Sequence, residues 1–435
     1  MARNTRTKDH AIAKRINEEG LIPTSAIFFL VSLRDSPKGR RELFAAQLRE
    51  NNLDAAIISQ PKHILYLTGL PTNLHPWFTM MKGHRSISFL VVDSEGRGNL
   101  LLGSGELESL NEIEGFDMGR VKGSIDSVST YSDYTLQNIT LESLRNLRVV
   151  TYGDDMGREL KKWIRGLGLR RTSRLGIEEW HMAEAYRSAI SSLYPHSTLK
   201  GISRMLLSMR SVKGKDEVEN ITKATRLLDE AYSVAKKQTK RGNTELGLFG
   251  KMNAETFTKH GPFAFVMGDF LSGKRSLLIG GLPTSKQLGE GDTVILDFQA
   301  NHNFYWSDLC RTFVVGNHPT PNQEKAYAAL TKAEAAAESL LVPGTKAKEV
   351  YDAVADTLIR SGYPRLLDFV GHGIGLDDQE PPWFIPGVEA QIREGMVFAV
   401  EPGIYARGTG GMRIEDLYLI TKKGCQRISK FPHGL

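Results

Sequence analysis

Two acids stand in stretches that otherwise read as buried strand: Asp297 in Thr293-Val-Ile-Leu-Asp-Phe and Glu401 in Met396-Val-Phe-Ala-Val-Glu. A carboxylate buried alone is costly, so such acids are paired, protonated or bound to a metal. Each has a partner acid further along the chain. Asp297 and Asp308 are symmetric about His302-Asn303, so a hairpin centred there sets them opposite one another on one face. Glu401 and Glu415 are symmetric about Gly408, within RGTGGM, and face each other in the same way. Like charges directly opposed destabilise a sheet unless something cancels them, and one or two divalent cations are the simplest compensator. His372, in Val370-Gly-His-Gly-Ile-Gly, adds an imidazole from a third strand or turn. Four carboxylates and one histidine make a hard, oxygen-rich set. It suits Mn, Fe(II), Co or Zn in a dinuclear site and disfavours a thiolate zinc. A buried salt-bridge network with Arg311 and Arg413 is the competing reading, and spacing alone does not choose between them.

These side chains need strands to carry them and a scaffold to hold the strands. The chain has 435 residues, 40% apolar and 24% charged, which excludes disorder, collagen and coiled coil as whole-chain readings. At roughly 150 residues per domain that length suggests two or three domains. Lys and Arg number 56 against 50 Asp and Glu, a surplus of +6 spread too thinly for a nucleic-acid footprint. The two cysteines, Cys310 and Cys425, cannot staple so long a chain, which points to a reducing compartment. No apolar run approaches the roughly 18 residues that span a bilayer. The expectation is a cytoplasmic protein with neither a nucleic-acid nor a membrane partner.

Along the chain, residues 1–36 read as a polar arm, 37–205 as an α/β domain and 206–435 as a second domain. RRELFAAQLRENNLDAAIIS predicts an amphipathic helix and then a strand; HILYLTGL and SISFLVVD read as β-rich runs. Helices dominate from Ser197 to Lys259. Beyond residue 260 the chain is rich in glycine and strands, with helices predicted from Asn322 to Leu341 and from Ala347 to Ser361.

The segments GDTVILDFQANHNFYWSDLCRTF, VGHGIGLDDQEPP, MVFAVEPGIY and GMRIEDLYLIT resemble the pita-bread metallohydrolases, the superfamily of aminopeptidase P, prolidase and creatinase. They follow in that family's order, and RENNLDAAIISQPKHILYLTGL looks like its creatinase-type N-terminal domain. The resemblance implies an α/β N-terminal domain followed by a pita-bread α+β domain. It implies two divalent ions, Mn foremost, with Fe, Co or Zn as alternatives. Asp297 would bind one metal, Asp308 and Glu415 would bridge both, and His372 and Glu401 would each bind one. A bridging hydroxide would be the nucleophile, and Glu401 would help move a proton. It also implies a homodimer.

The resemblance breaks at two positions. Prolidases and aminopeptidases P carry a histidine where this chain has Gly280, and another, in a GLxxHE pattern, where it has Gln379. Those histidines hold the substrate and the developing oxyanion, and losing one such donor costs about 2.7–4 kcal/mol of transition-state stabilisation. Gln379 can donate a hydrogen bond but cannot act as an acid. Asp378 lies six residues after His372, the spacing at which the related dimethylsulfoniopropionate lyases place a base; the plain alternative is a solvated loop acid.

Other positions carry paired expectations. Arg413 shares the face of Glu415 and supports the site by ion pairing. Trp383 and Phe384 wall a pocket, suited to an onium group through cation–π contact, or simply pack. Tyr405 offers a pocket hydroxyl or ends a strand. Cys310 is a buried, inert thiol. His260 compensates for a lost histidine or belongs to a loop. His75, Trp77 and Arg85, in TNLHPWFTMMKGHRS, reach a partner's active site in creatinase-like dimers or lie on a surface loop. The leading expectation is a dinuclear metal hydrolase cleaving an amide-type C–N bond in a small molecule or a short, Xaa-Pro-like peptide. The alternatives are a lyase or ring-opening hydrolase acting on a small zwitterion with Asp378 as base, and a non-catalytic binding protein.

Overall fold

The structure is a computed structural model that describes residues 33–72, 87–103, 106, 125–131, 148–149, 156–197, 199–261, 264, 266–365 and 369–435. Two compact units divide the chain, Met1–Met209 and Arg210–Leu435.

The first unit is built on a mixed sheet. Its described strands are β1 (Ala55–Ile58), β2 (Phe89–Asp93), β3 (Gly98–Gly103), β4 (Ser127–Tyr131), β5 (Arg148–Val149), β6 (Leu175–Ile177) and β7 (Leu199–Gly201), in the order β5-β4-β3-β2-β1-β6-β7. All four residues of β1 are buried, as a central strand covered on both faces requires. The amphipathic run before it forms the Pro37–Glu50 helix, which buries Phe44, Ala45 and Leu48. The β reading of HILYLTGL is corrected: Pro61–Thr68 is a helix. Pro61 sits in its first turn, where a missing N–H costs nothing, and Gly69 ends it in the left-handed region at φ 76°. The buried Glu178 carboxylate also accepts from the backbone N–H groups of Ser59 (2.5 Å) and Gln60 (2.7 Å) at the helix entrance. That long-range cap is invisible to local periodicity.

The second unit carries two main sheets. One contains β8 (Val266–Ser272), β9 (Thr293–His302) and β10 (Tyr305–Val314), antiparallel in the order β10-β9-β8. The Lys215–Gln238 helix packs Leu227, Leu228, Ala231 and Tyr232 against this sheet's Leu296, Phe298 and Leu309. The other sheet contains β11 (Gly371–Gly373), β12 (Glu380–Trp383), β13 (Val397–Val400), β16 (Asp416–Thr421) and β17 (Gly424–Arg427). A short hairpin, β14 (Gly403–Ala406) with β15 (Gly410–Arg413), interrupts it. The Pro321–Glu338 and Ala347–Arg360 helices cover this second sheet through a core that includes Leu330, Tyr351, Val354, Phe398 and Tyr418.

Candidate metal centre

The β9–β10 hairpin turns at Asn303 and Phe304, both with positive φ (49° and 68°), the backbone twist that suits a two-residue hairpin loop. The centre therefore lies one residue later than the expected His302-Asn303. Asp297 faces Cys310 and Asp308 faces Gln299, so the expectation that the two acids stand directly opposite is corrected. Moving the centre by one residue shifts each pairing by two, which preserves the face. Asp297, Gln299, Asp308 and Cys310 consequently share one side of the sheet, with the two acids as diagonal neighbours. Gln299 Nε2 donates to both Asp308 oxygens, at 2.9 and 3.1 Å.

The symmetry about Gly408 agrees with the observed register. Gly403 pairs with Arg413 in the short hairpin, and Val400 pairs with Asp416 in the larger sheet. Glu401 and Glu415 fall at the junction between these two ladders, where direct pairing stops. Their backbone N–H groups are satisfied elsewhere: Glu401 donates to Val370 O at 2.9 Å and Glu415 to Cys310 O at 3.0 Å. The second of these bonds ties the junction to β10 and brings Glu415 to the face carrying Asp297 and Asp308.

His372 lies on β11, fully buried beside β13. Its Nδ1 donates to Gly373 O at 2.9 Å. Because a carbonyl can only accept, this bond puts the proton of the neutral ring on Nδ1 and leaves the Nε2 lone pair free. Nε2 stands 3.3 Å from Glu401 Oε1 and 3.9 Å from both Asp308 Oδ2 and Glu415 Oε1.

Two sets of groups have ligand atoms that all lie within 4.8 Å of one another: Asp308, His372 and Glu415, and Asp297, Glu401 and Glu415. Glu415 belongs to both. Asp297 Oδ1, His372 Nε2, Glu401 Oε1 and both Glu415 oxygens are buried without a hydrogen-bond partner. Buried polar atoms are rarely left so, and several turned toward one another require a common partner. A pair of hard divalent cations sharing Glu415 fits this donor set in number, type and spacing.

The electrostatics carry the same imprint. Burial pushes the Asp297 carboxyl up to about 6, against the opposing pull of Arg413. Asp308 and Glu415 are raised well above the usual carboxylate range, first by burial and then by neighbouring acids. Burial alone would lower His372, but adjacent Glu401 outweighs it and the imidazole ends above its ordinary value. Arg413 is the resident cation: its guanidinium lies 2.6 Å from Asp297 Oδ2, 3.7 Å from Asp269 Oδ2 and 4.0 Å from Glu401 Oε2. Arg311 does not join it. That side chain instead pairs with Asp416 at 2.7 Å and donates to the carbonyls of Cys310, Glu415 and Phe431, fixing the backbone behind the ligands. A third acidic group, Glu334, Asp416 and His433, lies apart from the centre, and its Asp416 is already engaged by Arg311, Arg427 and His433.

A model of metallopeptidase family M24 matches residues 219–422, and a model of the creatinase/prolidase N-terminal domain matches residues 40–212. A Xaa-Pro dipeptidase from Pyrococcus furiosus is 34% identical over 60% of this chain and 75% of its own length. The chain belongs to metallopeptidase family M24. Solved relatives of this M24 protein share its fold. A prolidase from Pyrococcus horikoshii OT3 superposes with a TM-score of 0.70 at 25% identity, covering 92% of this chain and 99% of that one. A dipeptidase from the same organism gives 0.72 at 26% identity, covering 91% and 99%. The protein is a metal-dependent hydrolase with a creatinase-type N-terminal domain ahead of its M24 catalytic domain.

The remaining candidates scatter around the centre of this M24 domain. Trp383, on β12 opposite His372, is half-buried with its ring 5.8 Å from the imidazole and 5.7 Å from Phe369. Phe384 is core, packed on Phe398 at 4.7 Å. Tyr405 packs on Leu271, Ile295 and Cys310, and burial raises its phenol pKa. Cys310 is fully buried, and burial pushes its thiol well up, as expected for an inert group. Asp378 and Gln379 are exposed on a turn, where Asp378 Oδ1 accepts from the Gln379 backbone at 3.0 Å. His260 ends a helix and faces Glu230 at 3.1 Å. His75, Trp77 and Arg85 lie outside the described residues. Sequence reasoning missed Gln299 and Asp269, although Asp269 interrupts the apolar run VMGDFLS much as Asp297 interrupts its own strand. It also missed the buried cations Arg210 and Lys213, which hold Glu380 and so brace the turn carrying Asp378.

Proposed function

We propose that the chain is a dinuclear metallopeptidase acting on short Xaa-Pro-like peptides, or on a small molecule with a comparable amide-type C–N bond. The observation that carries this reading is the set of orphaned ligand atoms on Asp297, His372, Glu401 and Glu415, joined to 34% identity with a Xaa-Pro dipeptidase. Asp297, Asp308, His372, Glu401 and Glu415 would hold two divalent ions, with Mn favoured by the oxygen-rich set. Such ions would supply Lewis acidity and lower the pKa of bound water toward neutrality. Glu401, beside His372 and the other acids, would also move a proton at the water through its second carboxylate oxygen. Arg413 balances Asp297 and Glu401 and fixes their orientation. Trp383 forms one apolar wall next to His372 and helps exclude water. The free thiols of Cys310 and Cys425 suit a cytoplasmic setting, and a homodimer is carried as part of the same proposal.

Hydrolysis is preferred to elimination because Asp378 sits on an exposed turn, with its carboxylate turned to the neighbouring backbone N–H. The test is a screen of Mn-loaded protein against Xaa-Pro dipeptides, cyclic amides and sulfonium propionates, with metal content measured in parallel. Hydrolysis of a Xaa-Pro dipeptide that Asp308→Ala abolishes together with bound metal is the expected result. A protein that takes up no Mn, Fe, Co or Zn, or an Asp308→Ala variant with full activity, would overturn the proposal.

A further inference from the structure

A fifth carboxylate stands at the centre without belonging to either ligand set. Asp269 lies on β8 directly across from Asp297, so both side chains project from the same face. The Arg413 guanidinium touches both, at 3.7 Å from Asp269 and 2.6 Å from Asp297. The two acids differ in access: the side chain of Asp269 is 35% exposed, that of Asp297 only 9%. Asp269 is held in place from behind, because the Gly281 backbone N–H donates to its Oδ1 at 2.8 Å. Its other oxygen, Oδ2, faces Gly280. A Cβ built at position 280 would meet that oxygen at 2.9 Å, so no side chain can stand there while Asp269 keeps this place. Glycine at 280 and the carboxylate at 269 form one arrangement: an anion fills the space where a larger side chain at 280 would begin.

Charge balance says what such an anion is for. Four ligand carboxylates, Arg413, two divalent cations and a bridging hydroxide would sum to zero; Asp269 then leaves one negative charge, on the one acid of the five whose side chain is substantially exposed. Resting on the metallopeptidase reading above, we propose that Asp269 is a specificity-determining residue that receives the cationic group of the substrate, a free ammonium one or two bonds from the scissile amide. A fixed carboxylate with one oxygen tethered, and the other 3.7 Å from Arg413 and so beyond hydrogen-bond length, accepts an N⁺–H donor at little cost in reorganisation. Selectivity then arises because an uncharged substrate leaves that oxygen without a hydrogen-bonded cation.

The test uses Asp269→Asn, which keeps the Oδ1 acceptor for Gly281 and removes the charge. Mn-loaded wild type and variant are titrated calorimetrically with alaninamide and with N-acetylalaninamide, which differ in the ammonium. Hydrogen bonds to charged groups contribute about 1.5–3 kcal/mol, so alaninamide should bind the variant about 10- to 100-fold more weakly. N-acetylalaninamide should bind both proteins equally, and Mn content should be unchanged. On free-amine against N-acetylated Xaa-Pro substrates the loss should fall on KM, for the free amine alone. Equal weakening of both ligands, equal alaninamide binding by the two proteins, or loss of Mn from the variant would overturn the proposal and leave Asp269 a partner of Arg413. If neither protein hydrolyses any peptide, the metallopeptidase reading falls, while the calorimetry still decides whether Asp269 takes an ammonium.

Discussion

Replacing Glu415 by Gln should stabilise the metal-free protein at alkaline pH while abolishing its response to metal. Glu415 is 1% exposed, and neither of its carboxylate oxygens has a hydrogen-bond partner. Burial, then Asp308, Glu401 and Asp297, holds its pKa well above the ordinary 4.5. The folded carboxyl therefore keeps its proton to higher pH than the unfolded one, and every rise in pH above about 4.5 favours the unfolded chain. At pH 8 the gap from 4.5 is 3.5 pH units. At about 1.36 kcal/mol per unit, that sets an upper bound of about 5 kcal/mol. Relaxation and water entry keep the gain below that bound. Glutamine has nearly the same shape, carries no charge and gives up no existing hydrogen bond. For a unit the size of Arg210–Leu435 the bound corresponds to a rise in Tm of at most roughly 10–20 °C at pH 8, shrinking to almost nothing at pH 4.5. Scanning calorimetry of metal-free and Mn-loaded proteins at both pH values measures it. In wild type, Mn should raise Tm, by about 2.7 kcal/mol of stabilisation at a hundredfold excess over Kd; in Glu415→Gln it should not. A metal-free variant no more stable than wild type at pH 8, or one that keeps the Mn-induced increment, would refute the reasoning.

Other expectations follow from the same geometry. Metal must displace protons from Asp297, whose carboxyl sits at about 6, and from the raised Asp308, Glu415 and His372. Metal affinity should therefore fall as pH drops through 6; calorimetry in buffers of different ionisation enthalpy should count the released protons, more at pH 6 than at pH 8. Asp378→Ala and Gln379→Ala remove exposed side chains and should leave kcat/KM on a cleaved dipeptide within roughly threefold, small against the 10²–10⁴-fold expected of a general base. Arg210→Met should cost about 3–5 kcal/mol in urea unfolding. Burial alone would raise the buried Glu380, but Arg210 and Lys213 hold it down at about 2, and the variant leaves that charge short of a partner. Iodoacetamide should label Cys425 well before Cys310 in the folded protein, since Cys310 is fully buried and Cys425 is not; peptide mass spectrometry distinguishes them.

The candidate ligands of the centre were legible in the chain because they offend local rules. An acid inside an apolar strand needs a reason wherever it occurs, and Asp297 and Glu401 stood out on that ground; symmetry about two turns added Asp308 and Glu415, while spacing alone left a metal pair and a salt-bridge network both open. Strand period also carried their common face, since a hairpin displaced by one residue at Asn303-Phe304 still puts Asp297 and Asp308 on the same side. What sequence could not supply was long-range partnership. The entrance of the Pro61–Thr68 helix is held by a carboxylate 118 residues from Gln60, at Glu178, which no local pattern shows. The meeting of Glu415 with β10 depends on one backbone bond between distant segments, to Cys310 O. The division of labour between two arginines was likewise undecided, because Arg413 and Arg311 have equal claims by spacing. Packing sends the first to Asp297 and the second to Asp416. The carboxylate of Asp269 acquires its place only because Gly280, from a separate loop, leaves it room. Residue type and period determine what a side chain can do and which way it faces; only the folded chain decides what stands opposite it.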